Sequence, residues 1–379
     1  MVIRTQQPSL PIVPSPIFTK VSTMTSASSS LLLSVIIPTR DERFFIDGCL
    51  QSIFSADFPS NRMEVLVVDG MSTDGTRESL EGWRARQSNL RILDNPYHVV
   101  PAAMNIGIRA ARGKWIIRLD AHSEYPANYL RLCLETAERT GADNVGGIVT
   151  TLSRQENGQE ALVQALTTHR FGVGNAGFRT GGREGWTDTV PYGCFRRELF
   201  EQIGLYDERL VRNQDYELNR RLLKNGGRIW LNPAIQITYY NQNSLSGLLK
   251  QAFVTGQWNV WMWFVAPHAF AYRHAVPLAF VAALLGVIFC FLFSSGFARY
   301  VLASMLIPYG LMALAASLQQ ALRHGIWTLP LLPFLFLAYH ATYGLGGLCG
   351  IWKLATKQSP VQHTSSIRLA RDPILRVSE

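Results

Sequence analysis

Lys114-Trp115-Ile116-Ile117-Arg118-Leu119-Asp120-Ala121-His122 reads as a short β-rich run that stops at an acid, a small residue and an imidazole. Short runs rich in Ile and Trp, bounded by turn residues, are strands. In an open α/β sheet, ligands collect outside the carboxyl ends of the strands. Asp120 and His122 are two residues apart, so an extended backbone points both to one side. There a carboxylate and an imidazole can share a divalent metal. The expectation is a pocket assembled around that strand end.

Upstream, the same kind of run recurs. Leu31-Leu32-Leu33-Ser34-Val35-Ile36-Ile37-Pro38-Thr39 is mostly apolar and closed by Pro, as a buried parallel strand reads. Met63-Glu64-Val65-Leu66-Val67-Val68-Asp69 is a second strand ending in an acid, and Arg91-Ile92-Leu93-Asp94 a third. Between them, Phe45, Ile46, Cys49, Leu50 and Ile53 fall at helical spacing. Further helices are expected from about Arg77 and over residues 101–111, the latter with Gly113 just past its end. Strand and helix alternate, so the fold class is α/β: a mostly parallel sheet with right-handed crossovers and helices on both faces.

Downstream, helices are expected over 129–140, 198–203 and 212–224, and strands over 145–150 and 228–231. Residues 169–190 are glycine-rich without phosphate-loop spacing and read as a flexible substrate loop. Asp215 and Glu217 lie in the first turn of their helix, where negative charge suits the helix dipole.

The 379 residues carry a net charge of +9, with 17% charged and 47% hydrophobic residues. The basic excess comes with no nucleic-acid-binding signature, so anionic lipid and nucleotide are the favoured partners and nucleic acid is excluded. The five cysteines form no CxxC pair and read as free thiols. Residues 1–30, rich in Pro and Ser and without an acid, read as a disordered tail, and 31–240 as the catalytic α/β domain. Residues 241–272, with Trp258, Trp261 and Trp263, suit amphipathic helices in the headgroup layer. Three uncharged blocks at 277–293, 300–318 and 328–351 make 273–352 a membrane region of about three helices. A basic tail, 353–379, follows; three crossings would put it opposite the catalytic domain, whereas its Lys and Arg residues favour the cytoplasmic side.

Ile37-Pro38-Thr39-Arg40-Asp41-Glu42, Val67-Val68-Asp69-Gly70-Met71-Ser72-Thr73-Asp74-Gly75-Thr76, Leu119-Asp120-Ala121-His122 and Asn213-Gln214-Asp215 together resemble the family 2 glycosyltransferases of the GT-A fold. Within them the chain is most similar to the succinoglycan-type, ExoA-like membrane glucosyltransferases. The resemblance covers about residues 31–260.

It implies a nucleotide site along Pro38, Thr39, Asp41 and Glu42, with Asp69 bonding the base. Asp120 would bind ribose and metal, and His122 would replace the second acid of an Asp-x-Asp motif, the metal being Mg²⁺ or Mn²⁺. Asp215 matches the general base, and Tyr192, Gly193, Gln214 and Trp258 fall on the acceptor side. The implied reaction is inverting transfer of a hexose, glucose first, from a nucleoside diphosphate sugar such as UDP-glucose. The implied acceptor is a lipid-linked or growing exopolysaccharide glycan, at the cytoplasmic face of the inner membrane and alongside polysaccharide-assembly proteins.

Three positions depart from the family pattern: Gly70-Met71 where Asp-Gly is usual, Gln214 where Glu is usual, and Gln257 where Arg is common. Gln214 and Gln257 motivate a second reading, a catalytically silent sugar-nucleotide sensor or assembly subunit; a third is a processive synthase, against which the few C-terminal crossings speak. Taken singly, Asp41, Asp69 and Asp74 are also ordinary helix caps, and Glu217 reads as structural.

Overall fold

The computed structural model describes residues 31–152, 158–240 and 244–358. The expected tails, 1–30 and most of 353–379, lie outside the described residues. The chain forms β1 (Leu33–Thr39), α1 (Ile46–Phe54), β2 (Met63–Asp69), α2 (Thr76–Arg86), β3 (Leu90–Asp94), α3 (Val100–Ala110), β4 (Trp115–Arg118), α4 (Tyr129–Thr140) and β5 (Asn144–Leu152). Next come α5 (Gly158–Thr167), α6 (Arg170–Val173), α7 (Gly177–Thr180), β6 (Gly185–Thr187), β7 (Cys194–Arg196), α8 (Leu199–Ile203), α9 (Gln214–Lys224) and β8 (Ile229–Tyr240). Four long helices close the chain: α10 (Leu245–Val265), α11 (Tyr272–Cys290), α12 (Ser295–His324) and α13 (Leu332–Ala355).

The eight strands form one sheet in the order β3-β2-β1-β4-β7-β5-β8-β6. β1 pairs in parallel with β2 on one side and β4 on the other, and β2 with β3. Successive strands therefore run outward from β1 and then return to its other flank. That reversal makes the carboxyl ends of β1 and β4 a topological switch point, the place where open α/β sheets bind ligands.

Side-chain alternation covers both faces. Leu33, Val35, Ile37, Val65, Val67 and Ile117 pack with α1, α2 and α4. Ile36, Leu66, Val68 and Ile116 pack with α3, α8 and α9. A period of two with both sets buried is what a fully covered parallel sheet demands.

Three sequence expectations change. The glycine-rich 169–190 stretch is structured: it holds α6, α7 and β6, and β6 pairs antiparallel with β8, where Trp186 meets Trp230 edge-on at 4.7 Å. Cys194–Arg196 is a strand antiparallel to both β4 and β5, which makes the sheet mixed. The last strand runs on to Tyr240, because a register shift opposite Gly146/Ile148 absorbs residues 232–235, among them Pro233, which has no N–H to donate.

α11, α12 and α13 are long and apolar enough to cross a membrane, at 19, 30 and 24 residues. Only 11%, 17% and 28% of their apolar windows are buried inside the protein, so most of that apolar surface faces outward.

Candidate active site at the switch point of the sheet

The β1 and β2 ends are laced together. Gly70 N–H donates to the Thr39 carbonyl at 2.7 Å. Asp41 sits in the left-handed region, φ 53°. Its N–H donates to the Ser72 hydroxyl at 2.9 Å, and its carboxylate accepts the Thr73 N–H at 2.9 Å. A non-glycine residue there is held by its surroundings, and these two bonds do the holding. Asp69, at the end of β2, is almost fully buried. It accepts the Ser72 hydroxyl at 2.6 Å and an Arg77 N–H at 3.3 Å. Arg77 also reaches Asp94 at 2.6 Å. Asp74 accepts the N–H groups of Arg43 and Thr76, both at 3.0 Å, so it fastens the loop to the start of α2. Pro38 and Thr39 are buried residues of β1 beside this loop pair.

The β4 end differs from its sequence reading in one respect. The strand stops at Arg118, and Asp120 to Ser123 make a turn closed by Ser123 N–H to the Asp120 carbonyl at 3.3 Å. The extended backbone assumed through His122 therefore ends early, because the Tyr125 hydroxyl captures the Asp120 N–H at 2.8 Å. His122 Nδ1–H donates to Glu42 at 3.2 Å. That bond raises the His122 pKa above its ordinary value, against burial, which lowers it. Among the described residues no three His, Cys, Asp or Glu side chains form a metal-holding group. Asp120 and His122 would hold a metal only together with ligands from outside the chain. A carboxylate bonded to Nδ1–H fixes the tautomer that leaves Nε2 to ligate, as second-shell acids do in metal sites. Magnesium in particular takes one or two protein carboxylates and fills its shell with water and phosphate oxygens.

The decisive side chain is one the sequence reading passed over. Arg118, the last residue of β4, is buried, with its side chain 8% exposed. One nitrogen donates to Asp120 at 3.0 Å, and the other forms an ion pair with Asp215 in the first turn of α9. Burial works against its charge, but Asp215 and then Asp120 outweigh it and hold the guanidinium well above its ordinary pKa. The Tyr192 ring lies 5.8 Å from the same guanidinium, and the Arg118 N–H donates to the Gly193 carbonyl at 3.2 Å. The only sequence signal for this role was an arginine two residues before an acid in an otherwise apolar strand.

The structure thus brings Asp120, Asp215, Tyr192 and Gly193 around Arg118, and Glu42 against His122. Gln214 is buried next to Asp215. Trp258 is buried on α10, one residue before Asn259. Asn259 accepts from Asn213 at 3.0 Å and donates to Tyr343 of α13. Asn213, with φ 63°, is the residue at the head of α9. Gln257, at the position where Arg is common, turns its amide to Cys349 and Lys353 of α13.

These motifs on this sheet have counterparts. The sequence model of the family described as Glycosyl transferase family 2 matches residues 34–204. The chain is 33% identical over 234 residues to the succinoglycan biosynthesis protein ExoA of Rhizobium meliloti (strain 1021), covering 61% of this chain and 69% of that protein. It is a family 2 glycosyltransferase. A second relative of this transferase, 29% identical and covering 59% of this chain and 71% of its own, is the dolichyl N-acetyl-alpha-D-glucosaminyl phosphate 3-beta-D-2,3-diacetamido-2,3-dideoxy-beta-D-glucuronosyltransferase of Methanococcus voltae. Its fold is shared with the mannosyltransferase PcManGT from Pyrobaculum calidifontis, solved in complex with GDP-Man and Mn²⁺. That match has a TM-score of 0.53 at 20% identity, over 85% of this chain and 87% of the other. The transferase accordingly has the GT-A architecture with an apolar C-terminal helical region.

Proposed function

We propose that this glycosyltransferase moves a hexose, with glucose the first candidate, from UDP-sugar to a lipid-linked or growing exopolysaccharide glycan. It would work with inversion, at the cytoplasmic face of the membrane. The observation that carries this reading is the Arg118 guanidinium shared by Asp120 and Asp215. In this reading Asp120 is the donor-side acid and Asp215 the acceptor-side acid, held by one side chain.

In this reading the loops of Thr39–Glu42 and Asp69–Ser72 receive the nucleoside, with Asp69 bonding the base. Asp120 and His122 would hold Mg²⁺ or Mn²⁺, which would offset diphosphate charge. Asp215 accepts the proton of the acceptor hydroxyl as its oxygen attacks the anomeric carbon from the face opposite the diphosphate. The carbon–oxygen bond to phosphate breaks, and its electron pair leaves with the nucleoside diphosphate. One base and one displacement give inversion. Arg118 keeps Asp215 aligned, and Tyr192 and Gly193 line the acceptor side; Trp258, buried on α10, backs it.

The ExoA relative supports an exopolysaccharide product, and the M. voltae relative a lipid-borne acceptor. The test is transfer of radiolabel from UDP-glucose to lipid extract by membranes carrying the full chain, with Asp215→Asn alongside. Expected is labelled glycolipid lost by about 10²-fold or more in Asp215→Asn. UDP binding with metal but no transfer from any common sugar nucleotide would overturn it in favour of a silent sensor.

A further inference from the structure

α13 keeps contact with the α/β domain and α10 along its whole length. Leu332 and Phe336 share a buried cluster with Leu162, Val163 and Leu166 of α5. Phe171 of α6 meets Phe336 and His340 edge-on at 5.2 and 5.1 Å. Tyr339 has Arg179 of α7 as a charged neighbour. Tyr343 accepts from Asn259, which in turn holds the head of α9. Gly346 lies against the Phe253 backbone, Gly350 against Gln257 and Val260, and Lys353 donates to Gln257 at 3.3 Å. Residues 332, 336, 339, 343, 346, 350 and 353 recur at helical spacing, so they form one face.

From Leu332 to Lys353 a helix rises about 30 Å, which is about the thickness of the hydrocarbon core. A crossing helix would carry one end that far from the domain. Here both ends are held. α10, alongside which α13 runs in the same direction, is also anchored at both ends. It follows β8, and Met262 and Ala266 pack with Leu210 in the loop before α9. The opposite face of α13 offers Phe334, Leu345, Ile351 and Trp352, all exposed.

α11 and α12 also touch α13, Gly344 lying against Pro277 and Val281 and Tyr309 bonding His340, but their joined ends leave the domain. α11 departs at Arg273, which pairs with Asp188 at 2.6 Å. The turn between the two helices exposes Leu292 and Phe293 at 77% and 76%. α12 then returns, and Gln320 donates to the Ala165 carbonyl of α5.

We propose that the chain crosses the bilayer twice, through α11 and α12 only. α13 lies along the membrane-facing side of the α/β domain with its apolar face in lipid. The chain beyond Lys357 emerges on the domain's own side. This rests on the membrane attachment proposed above, and it removes a conflict in the sequence. Three crossings would carry the basic tail to the side that positive charge avoids, whereas two keep it with the catalytic domain.

Sidedness tests this without turnover, so its outcome is separate from that of the transfer assay. Single cysteines are placed at the exposed positions Ser88→Cys, Ser294→Cys and Gln358→Cys, in full-length protein carrying Cys290→Ser and Cys349→Ala. Sealed vesicles are treated with a membrane-impermeant maleimide before and after permeabilisation. The expected result is that Gln358→Cys labels together with Ser88→Cys, and Ser294→Cys only from the other side. Gln358→Cys labelling with Ser294→Cys, or all three labelling from one side, would overturn the two-crossing arrangement.

Discussion

Arg118 and Asp215 stand 97 residues apart in the chain and form an ion pair at the carboxyl end of β4, in the middle of the sheet. The same guanidinium holds Asp120. One strand residue therefore sets the spacing between the two carboxylates, and they supply the charge that makes a buried guanidinium tolerable.

Arg118→Lys tests that spacing. An ammonium is a point charge without the planar fork, so it satisfies one acid and leaves the other. The expected result is kcat lowered by about 10²-fold with UDP binding changed far less, because misplacement of a catalytic group by about 1 Å has that cost. Steady-state kinetics and calorimetric UDP binding on the same preparation check it. Equal loss in both would make Arg118 a general structural residue.

Asn259→Ala removes the link from α10 to Asn213 and from Tyr343 to the head of α9. Two hydrogen bonds are worth about 2 kcal/mol together. Part of that appears in the alignment of Asp215, so kcat is expected to drop by about tenfold. Donor KM should stay within error, since the loops proposed to receive the nucleotide follow β1 and β2.

Glu64 makes acid stability predictable. Its carboxylate is 1% exposed and receives the Ser34 hydroxyl, the Arg112 N–H and guanidinium, and Arg91. Burial pushes its pKa up, but these donors outweigh it and the net shift is downward. A depressed folded pKa stabilises above the unfolded value and loses that stability as pH falls through the folded one. Tm should therefore decline below about pH 4.5, and Glu64→Gln should flatten that limb while costing about 2 kcal/mol at neutral pH. Thermal melts across pH 3 to 8 report both effects.

Gly346→Ala probes the seam between α10 and α13. A Cβ there would stand 2.0 Å from the Phe253 carbonyl oxygen, and the reciprocal Gly256 position meets Tyr343 at 2.1 Å. Forcing the helices apart should cost about 1–3 kcal/mol. Gly310→Ala on α12, with nothing within 4 Å of its Cβ, should leave Tm unchanged or slightly raised. Melting in detergent micelles separates the two.

The strands β1 to β4 and their helices were legible because each carries a local signature. Ile46, Cys49, Leu50 and Ile53 repeat at helical spacing, and β1 and β2 are mostly apolar runs. β6 and β7 were not. At three residues each they show no period, and they exist because β8 and β4 offer edges to pair with. Arg118 was in plain view as the last residue of β4, two before Asp120. Its partner Asp215 was not, since an ion pair across 97 residues leaves no local trace.

By itself the sequence determined the α/β order, the acids at the strand ends and three stretches apolar enough for a membrane, because periodicity and composition are local properties. Only the tertiary structure decided what Asp120 and Asp215 share and where α13 lies. Both depend on which distant surfaces meet, and a helix of given hydropathy can cross a bilayer or lie against a domain until glycines such as Gly346 choose its neighbour.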